Sequence, residues 1–68
     1  MKIKVKDEFI TLGQLLKVAD FISSGGEAKF AVKELRIVVN GEKEDRRGRK
    51  LRPGDVVKVS GKEYEIVS

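Results

Sequence analysis

A basic run from Arg46 to Arg52 is the stretch of the 68-residue sequence most suited to chemistry. It sets five positive charges in seven residues with no acidic residue among them. The charged members are Arg46, Arg47, Arg49, Lys50 and Arg52. An arginine guanidinium can bond two phosphate oxygens at once, and each neutralised phosphate releases condensed counterions. The run therefore predicts contact with a polyanion, while a solvated loop is the simpler interpretation of such a run.

A second group of cations lies upstream, in a stretch with helical periodicity. At about 100° per residue, Lys29, Lys33 and Arg36 share one helix face, while Glu27 and Glu34 fall on the other side. Charges sorted by sign indicate a helix that follows an anionic surface. For three residues alone, an ordinary solvated face explains the pattern equally well.

Two further features mark the same helix. Ser24, Gly25 and Gly26 stand at its start, where free backbone N–H groups could seat a phosphate. A tight turn that requires positive φ would explain the two glycines as well. Phe30 lies away from the apolar face, so its ring is expected to stack on a base, to pack beneath the basic run or to be an incidental surface group.

Composition excludes most catalytic chemistry. The sequence has no cysteine and no histidine, which removes disulfides, thiolate metal sites and the usual general base. The acidic residues show no metal-ligand spacing and are interpreted as solvated: Asp7, Glu8, Glu42, Glu44 and Asp45. With a net charge of +4, acidic partners are favoured. We expect a soluble cytoplasmic protein that is not an enzyme, with no cofactor, no metal, no membrane segment and no small-molecule substrate.

The first half of the chain shows one strand and two helices. Lys2–Lys6 alternates polar and apolar residues, as a half-buried strand does. A capping box at Thr11 and Gln14 begins a helix from about Leu12 to Asp20. A second capping box, at Ser24 and Glu27, begins the next helix, whose apolar stripe is Ala28, Ala31, Val32 and Leu35. Phe9, Phe21 and Tyr64 are expected in the core.

The second half has strand and turn signals. Asn40-Gly41 favours a type I′ hairpin that returns a strand through Glu42 to Asp45. Arg52-Pro53-Gly54-Asp55 fits a type II turn. A two-residue loop at Gly61-Lys62 would close a C-terminal hairpin that pairs Val59 with Tyr64, Val57 with Ile66 and Lys58 with Glu65.

Taken in order, five of these motifs resemble the RNA-binding domain named after ribosomal small-subunit protein S-four, also called the αL motif. The similarity is greatest to its stand-alone, YaaA-like members. The motifs are Ile10–Lys17, Ser24–Lys29, Val39–Gly41, Arg46–Leu51 and Pro53–Asp55, and they cover nearly all of the chain after Phe9. The resemblance implies one domain over residues 1–68 with an α+β fold. Two short N-terminal helices would pack on a small, mostly antiparallel sheet of about four to five strands.

The resemblance also implies a function and a set of contact residues. The partner would be structured RNA, ribosomal RNA or a ribosomal particle, bound in ribosome assembly or translation. Residues implicated by the resemblance are Ser24, Gly25, Lys29, Lys33, Arg36, Arg46, Arg47, Arg49 and Lys50, and the residue patterns add Gly26, Phe30 and Arg52. Modification enzymes with a similar domain append a catalytic domain, so this chain is expected to recognise RNA without modifying it.

Two other interpretations remain. A ubiquitin-like sulfur carrier is similarly small and shares the Val39–Gly41 and Gly54–Val57 patterns, but its chemistry needs a C-terminal Gly-Gly, whereas this sequence ends in Val67-Ser68. This alternative therefore ranks below RNA binding. A protein-interaction module whose basic face meets an acidic protein is the third interpretation, and the sequence leaves it open.

Overall fold

Two short helices and seven strands make up the fold, which the computed structural model describes over residues 1–68. In chain order the elements are β1 (Lys2–Lys4), β2 (Ile10–Thr11), α1 (Leu12–Val18), a 3₁₀ turn (Gly25–Glu27), α2 (Ala28–Glu34), β3 (Ile37–Val39), β4 (Glu42–Lys43), β5 (Lys50–Leu51), β6 (Val56–Val59) and β7 (Lys62–Val67). None of the helices is long and apolar enough to cross a membrane.

The main sheet has five strands in the order β1-β7-β6-β3-β4. β1 runs parallel to β7, and every other neighbouring pair is antiparallel. β2 and β5 form a separate antiparallel pair, in which Ile10 lies opposite Leu51 and Thr11 opposite Lys50. This small ladder joins the start of α1 to the end of the basic run.

The predicted fold is wrong in three respects. The helices are not both N-terminal, because β1 and β2 precede α1. The main sheet is mixed, since Ile3 at the start of the chain pairs in parallel with Ile66 near its end. The β2–β5 pair forms a second sheet that the prediction lacked. Pairing between the two ends of a chain leaves no local signal, and a two-residue strand is too short for alternation to show.

The core lies between one face of the main sheet and the two helices. The fully buried side chains are Leu12, Leu15, Leu16, Ile37, Leu51, Ile66, Val39, Val57 and Val59. The apolar stripe predicted for the second helix is confirmed, because its members are buried or packed against this cluster. Tyr64 is buried and meets the half-buried Phe21 edge to face, with ring centroids 6.1 Å apart. Phe9 is not part of this core.

Local signals decide where α1 begins and ends. The capping box is confirmed: Gln14 N–H donates to Thr11 Oγ1 (3.2 Å) and Thr11 N–H to Gln14 Oε1 (2.9 Å). The predicted end at Asp20 is two residues too late. Asp20 adopts φ 66°, and Phe21 N–H donates to the Leu16 carbonyl, which closes the helix in a Schellman motif.

The second predicted capping box does not form. Ser24 makes no side-chain capping bond, and Gly25–Glu27 form a 3₁₀ turn that leads into α2. The Glu27 carboxylate accepts from Ser23 N–H at 3.2 Å, one residue away from the predicted partner. The residue types of a capping box are present, but Gly25 and Gly26 form a 3₁₀ turn, which is tighter than the first turn of an α-helix.

Two of the three predicted turns are confirmed. Asn40 and Gly41 both have positive φ, as a type I′ turn requires, although β4 after them is shorter than predicted. Gly54 has φ 101°, and Asp55 N–H donates to the Arg52 carbonyl in the expected turn.

The C-terminal hairpin has a different turn from the one predicted. Its central residues are Ser60 and Gly61, both with positive φ, so Val59 pairs with Lys62 and Val57 with Tyr64. The predicted pairs are therefore wrong. The register differs by two residues, which leaves the same side chains on the buried face.

Candidate nucleic-acid interface

Residues 46–52, here called the basic loop, are anchored by their backbone to the first turn of α1. Leu12 N–H donates to the Arg49 carbonyl and Gly13 N–H to the Arg47 carbonyl, each at 2.9 Å. The free N–H groups at a helix start carry partial positive charge, so carbonyl oxygens are suitable partners for them. The loop thus turns its carbonyls toward the helix and remains attached without using its cationic side chains.

Gly13 is the residue that lets the loop approach this closely. A Cβ at this position would lie 3.3 Å from Ala28 Cβ and 3.4 Å from the Arg47 carbonyl oxygen. The contact with Ala28 is tight enough that a neighbour would have to shift by a few tenths of an ångström, whereas the contact with the Arg47 oxygen is at the limit of ordinary packing. The sequence offered no signal for this role, because Gly13 stands within an ordinary helical pattern.

A buried carboxylate holds the start of the loop. Glu44 is 7% exposed, and its Oε2 accepts from Arg46 Nε at 2.9 Å and from Arg46 N–H at 3.1 Å. Its Oε1 accepts from Arg49 at 3.0 Å and from the Arg46 terminal nitrogen at 3.2 Å. The Arg46 side chain, then the Arg46 backbone and Arg49, outweigh burial and lower the pKa of Glu44 to about 2.

The interpretation of Glu44 as a solvated acid is therefore wrong. It is the one buried charged residue of the fold, and it fixes two arginines whose guanidinium groups still reach the surface. The side chains of Arg46 and Arg49 remain 72% and 34% exposed. Their remaining donors can bond an external anion, because a guanidinium has five N–H groups.

The far end of the loop is closed by Asp55 and Asn40. Asp55 accepts from Arg52 N–H at 2.8 Å and from the Asn40 side-chain amide at 3.0 Å. Asn40 Oδ1 in turn accepts from Val56 N–H at 2.9 Å. Partial burial alone would raise the pKa of Asp55, but these hydrogen bonds keep it below its ordinary value. The hairpin turn after β3 thus supports the turn that ends the loop.

Phe9 supports the middle of the loop. Lys50 Nζ lies 5.0 Å from the centroid of its ring, and the Arg52 guanidinium carbon lies 5.9 Å from it. Both distances suit cation–π contact. Phe9 was predicted to be a core residue, but it serves instead as a half-exposed platform for two cations.

Two connected grooves surround the basic loop. The first, the loop groove, has a volume of about 850 Å³ and is lined by Arg46, Gly48, Arg49, Lys50, Arg52, Pro53 and Asp55. The second, the helix groove, has a volume of about 390 Å³ and is lined by Thr11, Gly13, Gln14, Lys17, Gly25, Ala28, Arg47 and Gly48. Gly48 lines both, so the two form one continuous surface, here called the basic surface. Lys17 belongs to it and was not predicted.

The start of α2 lies beside this surface. Gly25 lines the helix groove. Neither Gly25 nor Gly26 has positive φ, so the explanation that the turn between the helices needs positive φ at these glycines is wrong. A Cβ at Gly25 would meet nothing within 4 Å, and one at Gly26 only Ser24 Oγ at 4.0 Å. The protein itself leaves both positions open to solvent.

Lys29 and Lys33 are exposed on α2, and neither lines the helix groove. At about 100° per residue, Lys29 and Lys33 share one side of α2, and Phe30 and Glu34 share a neighbouring side. There Phe30 and Glu34 line a separate shallow groove with Phe21 and Glu27. The acidic side of this helix thus lines a groove of its own, whereas its two lysines lie outside the helix groove.

Phe30 does not pack beneath the basic loop. It is 62% exposed, and its nearest cation is Lys29, whose Nζ lies 5.1 Å from the ring centroid. Of the alternatives for Phe30, only contact with a partner or an incidental surface position remains.

Arg36 is separated from the basic loop along the sheet. Its carbonyl accepts from Ser60 N–H at 2.9 Å, beside the pairing of Ile37 with Val59 at the end of β6. The basic loop leads into the opposite end of the same strand, at Val56. Three residue steps along a strand span about 10 Å, so Arg36 is not part of the central cluster of cations.

The order of these parts along the chain matches a known family. A model described as the S4 domain matches residues 3–67, which is nearly the whole chain. The chain belongs to the S4 domain family. This result confirms the resemblance to the S-four domain and agrees with RNA-binding, ribosome-related function.

One curated relative of this S4 domain is a protein of Bacillus subtilis (strain 168) named probable ribosome maturation protein RlbA. The two are 54% identical over 59 residues, which cover 87% of this chain and 83% of the relative. The relative is thus similar in length as well as in sequence, as the stand-alone type of S4 domain implies.

Proposed function

We propose that this S4 domain binds ribosomal RNA within a maturing ribosomal particle, through its basic surface. The family supports RNA as the partner, and the name of the Bacillus subtilis relative supports ribosome maturation as the setting. The cytoplasm, where ribosomes mature in such an organism, would be the place of action. The chain acts as a binding protein and not as an enzyme.

The observation that carries this proposal is the rigid presentation of the cations. Glu44 fixes Arg46 and Arg49, Phe9 supports Lys50 and Arg52, and the loop backbone is bonded to α1. A flexible basic tail binds any polyanion, whereas cations at fixed spacing favour phosphates at a matching spacing. Folded RNA offers such arrangements, and proteins recognise it largely through its shape and its phosphate positions.

The proposed contacts divide into a centre and a margin. The centre comprises Lys17, Gly25, Arg46, Arg47, Arg49, Lys50 and Arg52, which line the basic surface. Lys29 and Lys33 are exposed on α2, which follows Gly25 along the chain. Ser24 and Gly26 adjoin this centre on the exposed 3₁₀ turn. Arg36 and Phe30 lie at the margin, where a large RNA could still reach them.

Capture of ribosomal particles by the immobilised protein tests the proposal. The parent protein is expected to retain precursor particles, and nuclease treatment should release them. A variant that combines Arg47→Ala, Lys50→Ala and Arg52→Ala should retain far less, because it loses three cations that Glu44 does not need. Lys58→Ala is the control, since Lys58 lies on β6 and pairs only weakly with Glu63, at 4.0 Å.

Two outcomes would contradict the proposal. Retention that survives nuclease would indicate a protein partner and favour the interaction-module alternative. Equal retention by the triple variant and the control would show that the basic loop is not the contact. Crosslinking in cells, followed by sequencing of the bound RNA, would then identify the RNA.

A further inference from the structure

A third groove lies next to the basic surface, along α1 and the segment that joins β1 to β2. Its volume is about 520 Å³, within the range of small-ligand sites. Its apolar lining comes from Val5, Phe9, Ile10 and Val18. Val18 is 62% exposed, so the groove presents apolar surface to solvent. We call this the α1 groove.

The α1 groove is continuous with the basic surface in two places. Gln14 and Lys17 line both the α1 groove and the helix groove. Phe9 lines the α1 groove and also supports Lys50 and Arg52 of the loop groove. An RNA strand on the basic surface could therefore send one nucleotide into the α1 groove without leaving the cations.

We propose that the α1 groove receives one unpaired nucleobase of the bound RNA, a proposal that rests on the proposed function. The base would lie against Phe9 and Val18, because every base has an apolar face that stacks on such groups. Lys4 and Lys6, which also line the groove, would meet the flanking phosphates. Sequence-specific recognition of RNA commonly uses bases splayed out of a helix in this way.

The polar lining of the groove fits a base edge. Gln14 Oε1 already accepts from Thr11 N–H at 2.9 Å, so the amide nitrogen is the part of the side chain left to donate. Three lysines and a single acid, Asp7, give the lining a net positive charge. The lining thus favours a ligand that combines an apolar face with a negative charge, and a nucleotide has both.

Binding of two matched RNA hairpins tests the inference. One hairpin carries a single bulged adenosine, and the other carries an abasic ribose at the same position, so both have the same phosphates. Affinities are measured by fluorescence anisotropy at one low salt concentration. We expect the adenosine hairpin to bind about fivefold tighter or more, the range of one stacked base.

Two substitutions test whether the α1 groove is the source of the preference for the adenosine hairpin. Val18→Ser should reduce the ratio of the two affinities toward one and leave binding of the abasic hairpin unchanged, because no charge is lost. Val38→Ser is the matched control, since Val38 is a half-exposed valine in a different depression, with Val56 and Lys58. It should leave the ratio intact.

The outcomes separate the inference from the function on which it rests. Equal affinity for the two hairpins, with a steep salt dependence, would overturn the nucleobase proposal and retain RNA binding, and would favour an acidic protein segment in the groove. A preference that survives Val18→Ser would also overturn it, because the base would then be read elsewhere. Failure of both hairpins and of purified ribosomal particles to bind would overturn the proposed function itself.

Discussion

At the scale of single residues, Glu44 connects stability to the binding surface. Its carboxylate satisfies two arginines that the proposed RNA contact also uses. Removal of one partner from a buried ionic cluster costs more than the net value of the pair, because the other groups lose their hydrogen bonds. A variant at Glu44 should therefore alter both folding and binding.

Glu44→Gln is expected to lower the free energy of unfolding at neutral pH by about 1.5–3 kcal/mol, the cost of losing hydrogen bonds to a charged group. The pKa of Glu44 is lowered from 4.5 to about 2 on folding, so its contribution is complete above pH 4.5 and is lost as the pH falls through about 2. Denaturant titrations from pH 7 to pH 2 should show a shallower acid decline in the variant. Parallel curves would contradict this role.

Gly13→Ala and Gly26→Ala form a matched pair. Gly26→Ala should stabilise the fold by about 0.4–1 kcal/mol, because its φ is not positive and space is open around it. Gly13→Ala should give no such gain and should weaken RNA binding, since the new methyl group would crowd Ala28 and lie directly against the Arg47 backbone that anchors the basic loop. Thermal unfolding and RNA titration of both variants test this. An equal gain for both would show that the loop yields without cost.

Phe30→Ala should leave the free energy of unfolding within about 0.5 kcal/mol of the parent value, as for other exposed positions. Because the ring lies at the margin of the proposed contact, the loss of RNA affinity should be less than about fivefold, below the effect of one stacked base. A larger loss with an unchanged salt dependence would place Phe30 in the RNA interface.

The sequence could identify the basic residues but not what holds them. Charge runs and helical periodicity are local patterns. The sequence therefore showed the basic run Arg46–Arg52 and the division of α2 into a basic and an acidic side. The roles of Glu44, Gly13 and Phe9 depend on contacts made by the folded chain. Glu44 stands among charged residues in the sequence and was therefore interpreted as solvated. Only in the folded chain is it buried, with Arg46 and Arg49 bonded to its carboxylate.

At the scale of elements, one of the two predicted capping boxes and two of the three predicted turns formed. The Thr11–Gln14 box and the turns at Asn40 and Gly54 formed as predicted, because each depends on a few adjacent residues. The predicted pairing of the C-terminal hairpin was wrong, because a shift of two residues keeps the same side chains buried. Alternation of polar and apolar residues alone therefore cannot determine the register. Ser60 accepts positive φ there, which the preference for glycine did not indicate.

The basic loop as an element makes a prediction about salt. Log affinity for RNA should fall linearly with log salt concentration, by about 0.7–0.9 for each phosphate contacted. The variant with Arg47→Ala, Lys50→Ala and Arg52→Ala should have a smaller slope, reduced by the contribution of up to about three phosphate contacts. Lys58→Ala should keep the parent slope.

This experiment avoids Arg46 and Arg49 because both stabilise Glu44. Unfolding of the triple variant should therefore remain close to that of the parent, and circular dichroism before each titration checks it. A parent slope near zero would contradict electrostatic binding altogether.

At the scale of the whole molecule, the fold places most of the proposed RNA contacts on one connected surface. Three grooves share lining residues around α1 and the basic loop, while the acidic side of α2 faces away from them. The protein has a net charge of +4, and 38% of its residues are charged. The fold thus separates positive from negative side chains more than this composition indicates.

The parallel pairing of β1 with β7 has a consequence for how the chain folds. Ile3 and Ile66 are 63 positions apart, so the entropy of closing almost the entire chain must be overcome before this edge of the sheet forms. During synthesis, β1 emerges before β7 and remains unpaired until β7 follows. The native main sheet is therefore completed only once β7 has left the ribosome and can pair with β1.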